Sequence, residues 1–214
     1  MGGWSNMMGI ILKRKRMSRT PNSRKETTHE RLVAVAARAL RREGYAGVRV
    51  AEVMKEAGLT HGGFYAHFES RDALLVEALE RASHERAETL LRVVQQRADT
   101  GISSFRSLVD TYLADRQITS PETGCPVAAL ACEMPRQAPM VRDASAVRVQ
   151  RLIDAVRVTL PGKHRAAASF VAGTLVGSLQ LARALGDNAE GRALLATARK
   201  TLISRYDTEA AVSD

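Results

Sequence analysis

Residues 50–71 read VAEVMKEAGLTHGGFYAHFESR, two short helical patterns hinged at Gly58, and they constrain the fold more than any other stretch. Val50, Val53, Met54 and Ala57 share one face, which predicts a helix of about two turns over 50–57. Gly58 ends it and Leu59 is the apolar residue of a tight turn. Thr60 is a good N-cap for a second short helix, His61 to His67. Two short helices joined by a Gly-containing turn make a helix-turn-helix, whose second helix enters the DNA major groove. Ahead of it, Leu32, Val33, Ala36, Ala39 and Leu40 recur at helical steps, predicting an amphipathic helix over 26–43 with Arg31, Arg38, Arg41 and Arg42 mostly on the opposite face. Gly44 suits its left-handed stop. Behind it, Ser70 caps a long helix with Asp72 in the first turn, where the helix dipole favours an acid.

These residues resemble the TetR family of bacterial one-component transcriptional regulators. The carriers of the likeness are Gly44-Tyr45 closing the first helix, the turn Ala57-Gly58-Leu59, the pair Tyr65 and Phe68, and Ser70-Arg71 before the next helix. The match covers the DNA-binding segment; the remainder agrees in length and helical character. Two positions depart from the family pattern. Arg49 stands where a small hydroxyl residue usually opens the second helix. Gly62-Gly63 puts two residues without side chains in the recognition helix, at a helix-propensity cost of about 1 kcal/mol each.

The chemistry of the segment assigns roles. Thr60 brings a hydroxyl and helix N-terminal amides toward phosphate. His61 is the side chain placed to reach a base edge, and Gly62 and Gly63 permit close backbone approach. The resemblance implies phosphate contacts from Tyr65 and His67 at the exit of the recognition helix. Arg49 offers a cation toward phosphate and Arg71 is expected to reach the DNA backbone. Phe64 and Phe68 read as core, and Tyr65 has the alternative of a packed ring with its hydroxyl outward. His61 and His67 lack metal-ligand spacing, so neither a metal nor another cofactor is expected.

Charge agrees with a polyanion partner. The 214 residues carry 32 Lys and Arg against 23 acids, and residues 1–75 hold 14 basic and 7 acidic side chains, a net of +7. The remainder, with 18 and 16, has a net of only +2. Residues 1–24 read as a basic tail around Lys13-Arg14-Lys15-Arg16, with Met17 as an alternative start. Their apolar-then-basic order is the reverse of a secretory signal, so the expected location is the cytoplasm. Ala, Leu, Arg and Glu abound while aromatics make 4%, which disfavours an all-β fold. No apolar stretch is expected to reach the roughly 20 residues of a membrane span, and no membrane partner is expected. No phosphate loop, nucleophile elbow or His-Glu-x-x-His occurs, so an enzyme is not expected.

Beyond Asp72 the periodicity predicts helices over 72–97, 104–117, 126–134, 140–160, 164–185 and 189–206. The 164–185 segment is apolar nearly all round, with small residues at Gly173 and Gly177 on one face. A helix apolar on every side is buried on every side, which points to a second subunit. Leu194 and Ala198 of the following helix have compatible spacing, and the resemblance implies a dimer through these last two helices. Large residues on the middle helices, Phe105, Tyr112, Met134 and Phe170, are the candidates for an effector pocket. Cys125 and Cys132 are seven apart on one expected helix, about 10 Å along its axis and too far for a disulfide; a thiol switch is the alternative reading.

The expected protein is therefore all-α. A tail (1–24) precedes a three-helix helix-turn-helix domain (25–71) and a helical ligand-binding and dimerisation domain (72–214). Its expected function is that of a homodimeric repressor bound to double-stranded operator DNA and released by a small organic effector. A redox- or electrophile-sensing repressor using Cys125 and Cys132 is the alternative.

Overall fold

The computed structural model describes residues 24–207, and among these every regular element is helical. The tail expected at 1–24 lies outside the described residues but for the backbone of Arg24. Helix α1, Arg24–Gly47, buries Leu32, Val33, Ala36, Ala39 and Leu40, the face anticipated from spacing. Arg41 departs from the expected polar face: it is buried, donating to Glu85 at 2.9 Å and to the Ala82 carbonyl at 3.3 Å. At Gly44 (φ 75°) the chain leaves helical geometry. A side chain there would be strained and would collide with the Glu133 carboxylate.

Helix α2, Val50–Glu56, buries Val53 and Met54. Gly58 (φ 69°) turns the chain, and the Leu59 amide closes the turn on the Met54 carbonyl at 2.9 Å. The expected recognition helix is instead a 3-10 segment, His61–Ala66. Two glycines in six residues leave too little helix propensity for an α-helix, and short 3-10 pieces are what such sequences support. Helix α3, Arg71–Ala98, starts where Ser70 Oγ accepts from the Ala73 amide at 3.1 Å. Its first half buries Leu74, Leu75, Ala78, Leu79 and Ala82 in the main core, while Leu91 and Val94 pack farther along with Ala155 and Val158. One rigid helix therefore contributes to both ends of the molecule.

The remaining helices are α4 (Ser104–Tyr112), α5 (Arg116–Thr119), α6 (Pro126–Leu130), α7 (Pro139–Thr159), α8 (Ala168–Leu185) and α9 (Ala189–Tyr206), with 3-10 turns at Pro121–Thr123, Met134–Arg136 and Gly162–Ala167. Two helices are shorter than expected. The one predicted over 104–117 breaks after Tyr112, where Arg199 donates to the Leu113 carbonyl at 2.6 Å and to Asp115 at 3.1 Å. The one predicted over 126–134 stops at Leu130, so Cys132 lies in the following turn. The two cysteines thus do not share a helix face: Cys125 is buried and Cys132 exposed, both as free thiols.

Helix α1 packs on α3 and also on α6 and the Pro121–Thr123 turn; α3 packs on α4 and α7, α7 on α8, and α8 on α9. A single hydrophobic cluster runs from Leu32 to Tyr206. Truncating one of its fully buried leucines, such as Leu79, costs about 2–5 kcal/mol.

Helix α8 is two-faced. Ala168, Val171, Ala172, Leu175, Leu179 and Ala182 are buried, while Phe170, Gly173 and Leu181 are exposed. Against the sequence expectation, Gly162–Leu185 has the length and mean hydropathy (1.2) of a membrane span, with 33% of that window buried.

Candidate nucleic-acid interface and effector cavity

The helix-turn-helix is fastened from behind. Phe64 and Phe68 are buried, with ring centroids 5.4 Å apart, and Phe68 stacks on His29 of α1 at 4.5 Å. His29 Nε2 donates a 2.7 Å hydrogen bond to the Glu77 carboxylate of α3. Aromatic packing thus holds the 3-10 segment against both long helices and leaves its other side to solvent.

That outer side carries Thr60, Gly62 and Tyr65. Thr60 is exposed and its side chain caps nothing within the protein, while Tyr65 is 74% exposed. An added methyl at Gly62 would meet no atom within 4 Å, and at Gly63 only Met54 Cε at 3.5 Å. Packing therefore does not require either glycine. His61 opens the segment, but its side chain lies outside the described residues.

Three other candidates are engaged with the protein itself. Arg49 is exposed and pairs with Glu52 at 3.1 Å. His67 is half-buried beside His29, its Nδ1 buried and without a partner; burial, then His29 and Lys25, hold its pKa below the ordinary value. Arg71 donates from Nε to the Val48 carbonyl at 2.9 Å and from Nη2 to the Tyr45 carbonyl. One carbonyl is in the last turn of α1 and the other just past its end, so Arg71 fastens α1 to α3.

The charge argument also narrows. Residues 1–24 carry six basic and no acidic side chains, whereas residues 25–75 carry eight and seven. The folded head offers its partner shape and hydroxyl groups more than net charge.

Tyr45 links this head to the rest of the chain. Its amide donates to Glu133 Oε2 at 3.0 Å, its hydroxyl bonds to Ser145 Oγ of α7 at 2.9 Å, and its carbonyl accepts from Arg71. Burial raises the Tyr45 pKa, so the phenol stays neutral.

Behind these contacts lies a cavity of about 80 Å³ between α3, α4, α6 and α7. Of the four candidate pocket residues, only Tyr112 lines it. Phe105 and Met134 are filled core, Phe105 lying 6.3 Å from the Tyr206 ring, and Phe170 is 60% exposed on the α8–α9 face. Cys125 is on the cavity wall, along with Arg86 and Arg148, which helical spacing alone did not single out. A signal was present: Arg86 continues the apolar stripe Leu75, Leu79, Ala82, and Arg148 the stripe from Val141 to Leu152.

The α8–α9 face holds a second, shallow groove of about 500 Å³ that includes Leu194 and Ala198. Gly173 and Gly177 lie nearby with open space beyond them.

Residues 32–78 match the family of bacterial regulatory proteins called tetR, from within α1 through the helix-turn-helix to the start of α3. Over these residues the chain matches the TetR family. The chain is 29% identical over 173 residues to an HTH-type transcriptional regulator of Mycobacterium tuberculosis, covering 74% of this chain and 85% of the relative. Its fold is also that of Escherichia coli NemR in its reduced form (TM-score 0.68, 20% identity, 86% of this chain and 99% of that one). A TetR regulator from Chloroflexus aurantiacus is similar too (TM-score 0.65, 23% identity, 84% and 94%), as is the multidrug binding protein EbrR complexed with imidazole (0.60, 19%, 86% and 98%). The protein is thus an all-α, DNA-binding transcriptional regulator.

Proposed function

We propose that the protein is a homodimeric repressor, acting in the cytoplasm, that a small organic molecule releases from its operator. The observation that carries this reading is the position of α6. Its N-terminal residues Pro126 and Val127 line the cavity, while Glu133, just beyond its C-terminus, holds the Tyr45 amide at the end of α1. A ligand that displaces α6 therefore acts on the joint that sets the head. Ligand binds better to the state whose two heads are misplaced for DNA, and operator affinity falls.

In this reading residues 25–71 are the DNA-binding domain and 72–214 the effector and dimerisation domain, with α3 common to their packing. Thr60 and Tyr65 contact phosphates, Gly62 and Gly63 bring the backbone close to the groove, and His61 reads a base edge. Arg49 exchanges Glu52 for a phosphate. His67 and Arg71 position the segment from behind. The dimer forms across α8 and α9 through Gly173, Gly177, Leu194 and Ala198. This pairing gives the exposed half of an apolar helix a partner. The fold of EbrR, a multidrug binding protein, supports a ligand site within such a helical body.

Selection of bound duplexes from a random pool tests the proposal. Two symmetric heads require inverted half-sites about one helical turn or a multiple apart, on the order of 34 Å; selected sites without inverted symmetry refute the dimeric repressor. The cavity position of Cys125 also favours a second reading, a thiol switch. If peroxide releases wild-type protein from the selected duplex and the Cys125→Ser, Cys132→Ser double variant no longer responds, that reading replaces the effector.

A further inference from the structure

The cavity wall has an unbalanced chemistry. Its fourteen lining residues include Arg86, Arg148, Arg151 and His84 but no Asp or Glu. Arg148 and Arg151 share one outside carboxylate, Glu80, with Arg151 at 2.9 Å. His84 pairs with Glu88 at 3.0 Å. Arg86 has no carboxylate among the described residues. It is 9% exposed, donates one long bond to the Thr111 carbonyl (3.3 Å) and lies 5.7 Å from the Tyr112 ring centroid.

Two further polar groups on the wall are poorly answered. The Tyr112 hydroxyl, on a residue 3% exposed, meets only the weakly accepting Cys125 thiol, and Arg148 Nε has no hydrogen-bond partner among the described residues. Burial holds Tyr112 neutral, so its hydroxyl keeps a proton to donate. Burial lowers the Arg86 pKa, with Cys125 and Tyr112 but no carboxylate opposing it. An uncompensated buried cation is expensive and native proteins rarely keep one without a partner.

Poorly answered donors beside an unpaired cation define the missing group. It is an acceptor without a proton, and negatively charged. An ionised carboxylate is acceptor-only and matches the guanidinium fork. The rest of the wall, Leu90, Leu108, Pro126, Val127 and Leu152, requires an apolar body. At about 10–15 Å³ per water position, a cavity of about 80 Å³ suits a short-chain or single-ring molecule.

We infer that the effector cavity is a site for a small organic carboxylate, its charge held by Arg86 and Tyr112 and its apolar body lying against α6 and α7. This rests on the effector reading above and narrows it.

The test compares hexanoate and benzoate with hexanamide and benzamide, and with inorganic phosphate. Readouts are thermal melting and release of the duplex selected from the random pool. The carboxylates at 100 times their Kd should raise Tm by about 5–10 °C, with amides and phosphate well below. Arg86→Met should melt at or above the wild type, since it removes an unpaired buried charge, yet bind the carboxylates at least tenfold more weakly. Arg86→Lys should retain part of the affinity, and Tyr112→Phe should lose several-fold. Amides that match the acids in binding and DNA release overturn the carboxylate inference and leave the effector reading standing. Phosphate matching the acids replaces it with an inorganic-anion site. Carboxylates that bind through Arg86 without releasing DNA confirm the site and overturn the effector reading. No response to any probe overturns the inference, as does an Arg86→Met protein that melts lower and binds the acids as the wild type does.

Discussion

The backbone amide of Tyr45 donates to the carboxylate of Glu133, 88 residues away in sequence, at 3.0 Å. Glu133 reaches this amide because Gly44, at φ 75°, has no side chain in the way. The contact lies at the junction of head and body, and a charge-assisted bond of this kind contributes about 1.5–3 kcal/mol. Glu133→Ala should therefore lower stability by about that amount in urea titrations. If α6 transmits the effector signal, the same variant should show a smaller ligand effect on operator affinity. Gly44→Ala should be worse than Glu133→Ala, because it adds about 1–2 kcal/mol of left-handed strain to the lost contact. A Gly44→Ala protein as stable as the wild type would mean that the junction relaxes freely.

Tyr65 and Arg71 should separate cleanly. Tyr65 is 74% exposed, so Tyr65→Ala should leave stability within about 0.5 kcal/mol. It should weaken DNA binding equally across sequences, as loss of a phosphate contact does. Arg71→Met should instead cost about 1.5–3 kcal/mol, because its charged donors answer backbone carbonyls. A cation on phosphate contributes about one unit to the slope of log affinity against log salt. That slope should stay unchanged in Arg71→Met at temperatures where the variant is folded. A slope reduced by about one would return Arg71 to the DNA.

His67 gives the head a pH dependence of definite sign. Its folded-state pKa is below the ordinary 6.5, chiefly through burial. The unfolded chain therefore binds the proton more tightly, and stability rises with pH. His67 contributes nothing adverse above pH 6.5; as pH falls below 6.5 through the folded pKa, stability declines and then levels. His29, with its Glu77 partner, and Lys25 face the same imidazole. Urea midpoints from pH 7.5 to 5 should fall less steeply in His67→Gln than in the wild type. Parallel curves would assign the acid loss to other groups.

Gly177→Arg tests the dimer. The position has open space in the protomer, so the substitution should leave each subunit folded. Light scattering should then report the mass of a monomer, with operator binding lost. A folded variant that keeps the dimer mass would move the interface off α8.

Local chemistry was legible in the sequence wherever the cause was local. Ser70 caps α3, α9 occupies 189–206, and Phe64 and Phe68 are buried, all as residue type and spacing implied. What remained hidden depends on distant partners. Arg71 answers carbonyls that leave no side-chain signature in the chain, and the end of α4 is secured by Arg199 from 86 residues away. The recognition segment was expected as an α-helix because its neighbours have helical punctuation, and two glycines made it 3-10. Of the large side chains on the middle helices, Phe105 and Met134 fill the core, Phe170 is exposed, and only Tyr112 meets the cavity. The cavity is marked by arginines at stripe positions, a signal carried by residues in the wrong place and not by residues of the expected kind.

Gly62 touches nothing that a side chain would disturb. Side chains of many sizes can therefore be tried there while Phe64 and Phe68 continue to hold the segment from behind. Substitutions there would go unregistered by the core. If Gly62 faces the groove, the surface that reads DNA and the aromatic support beneath it vary independently, and a change of target there need not cost foldability.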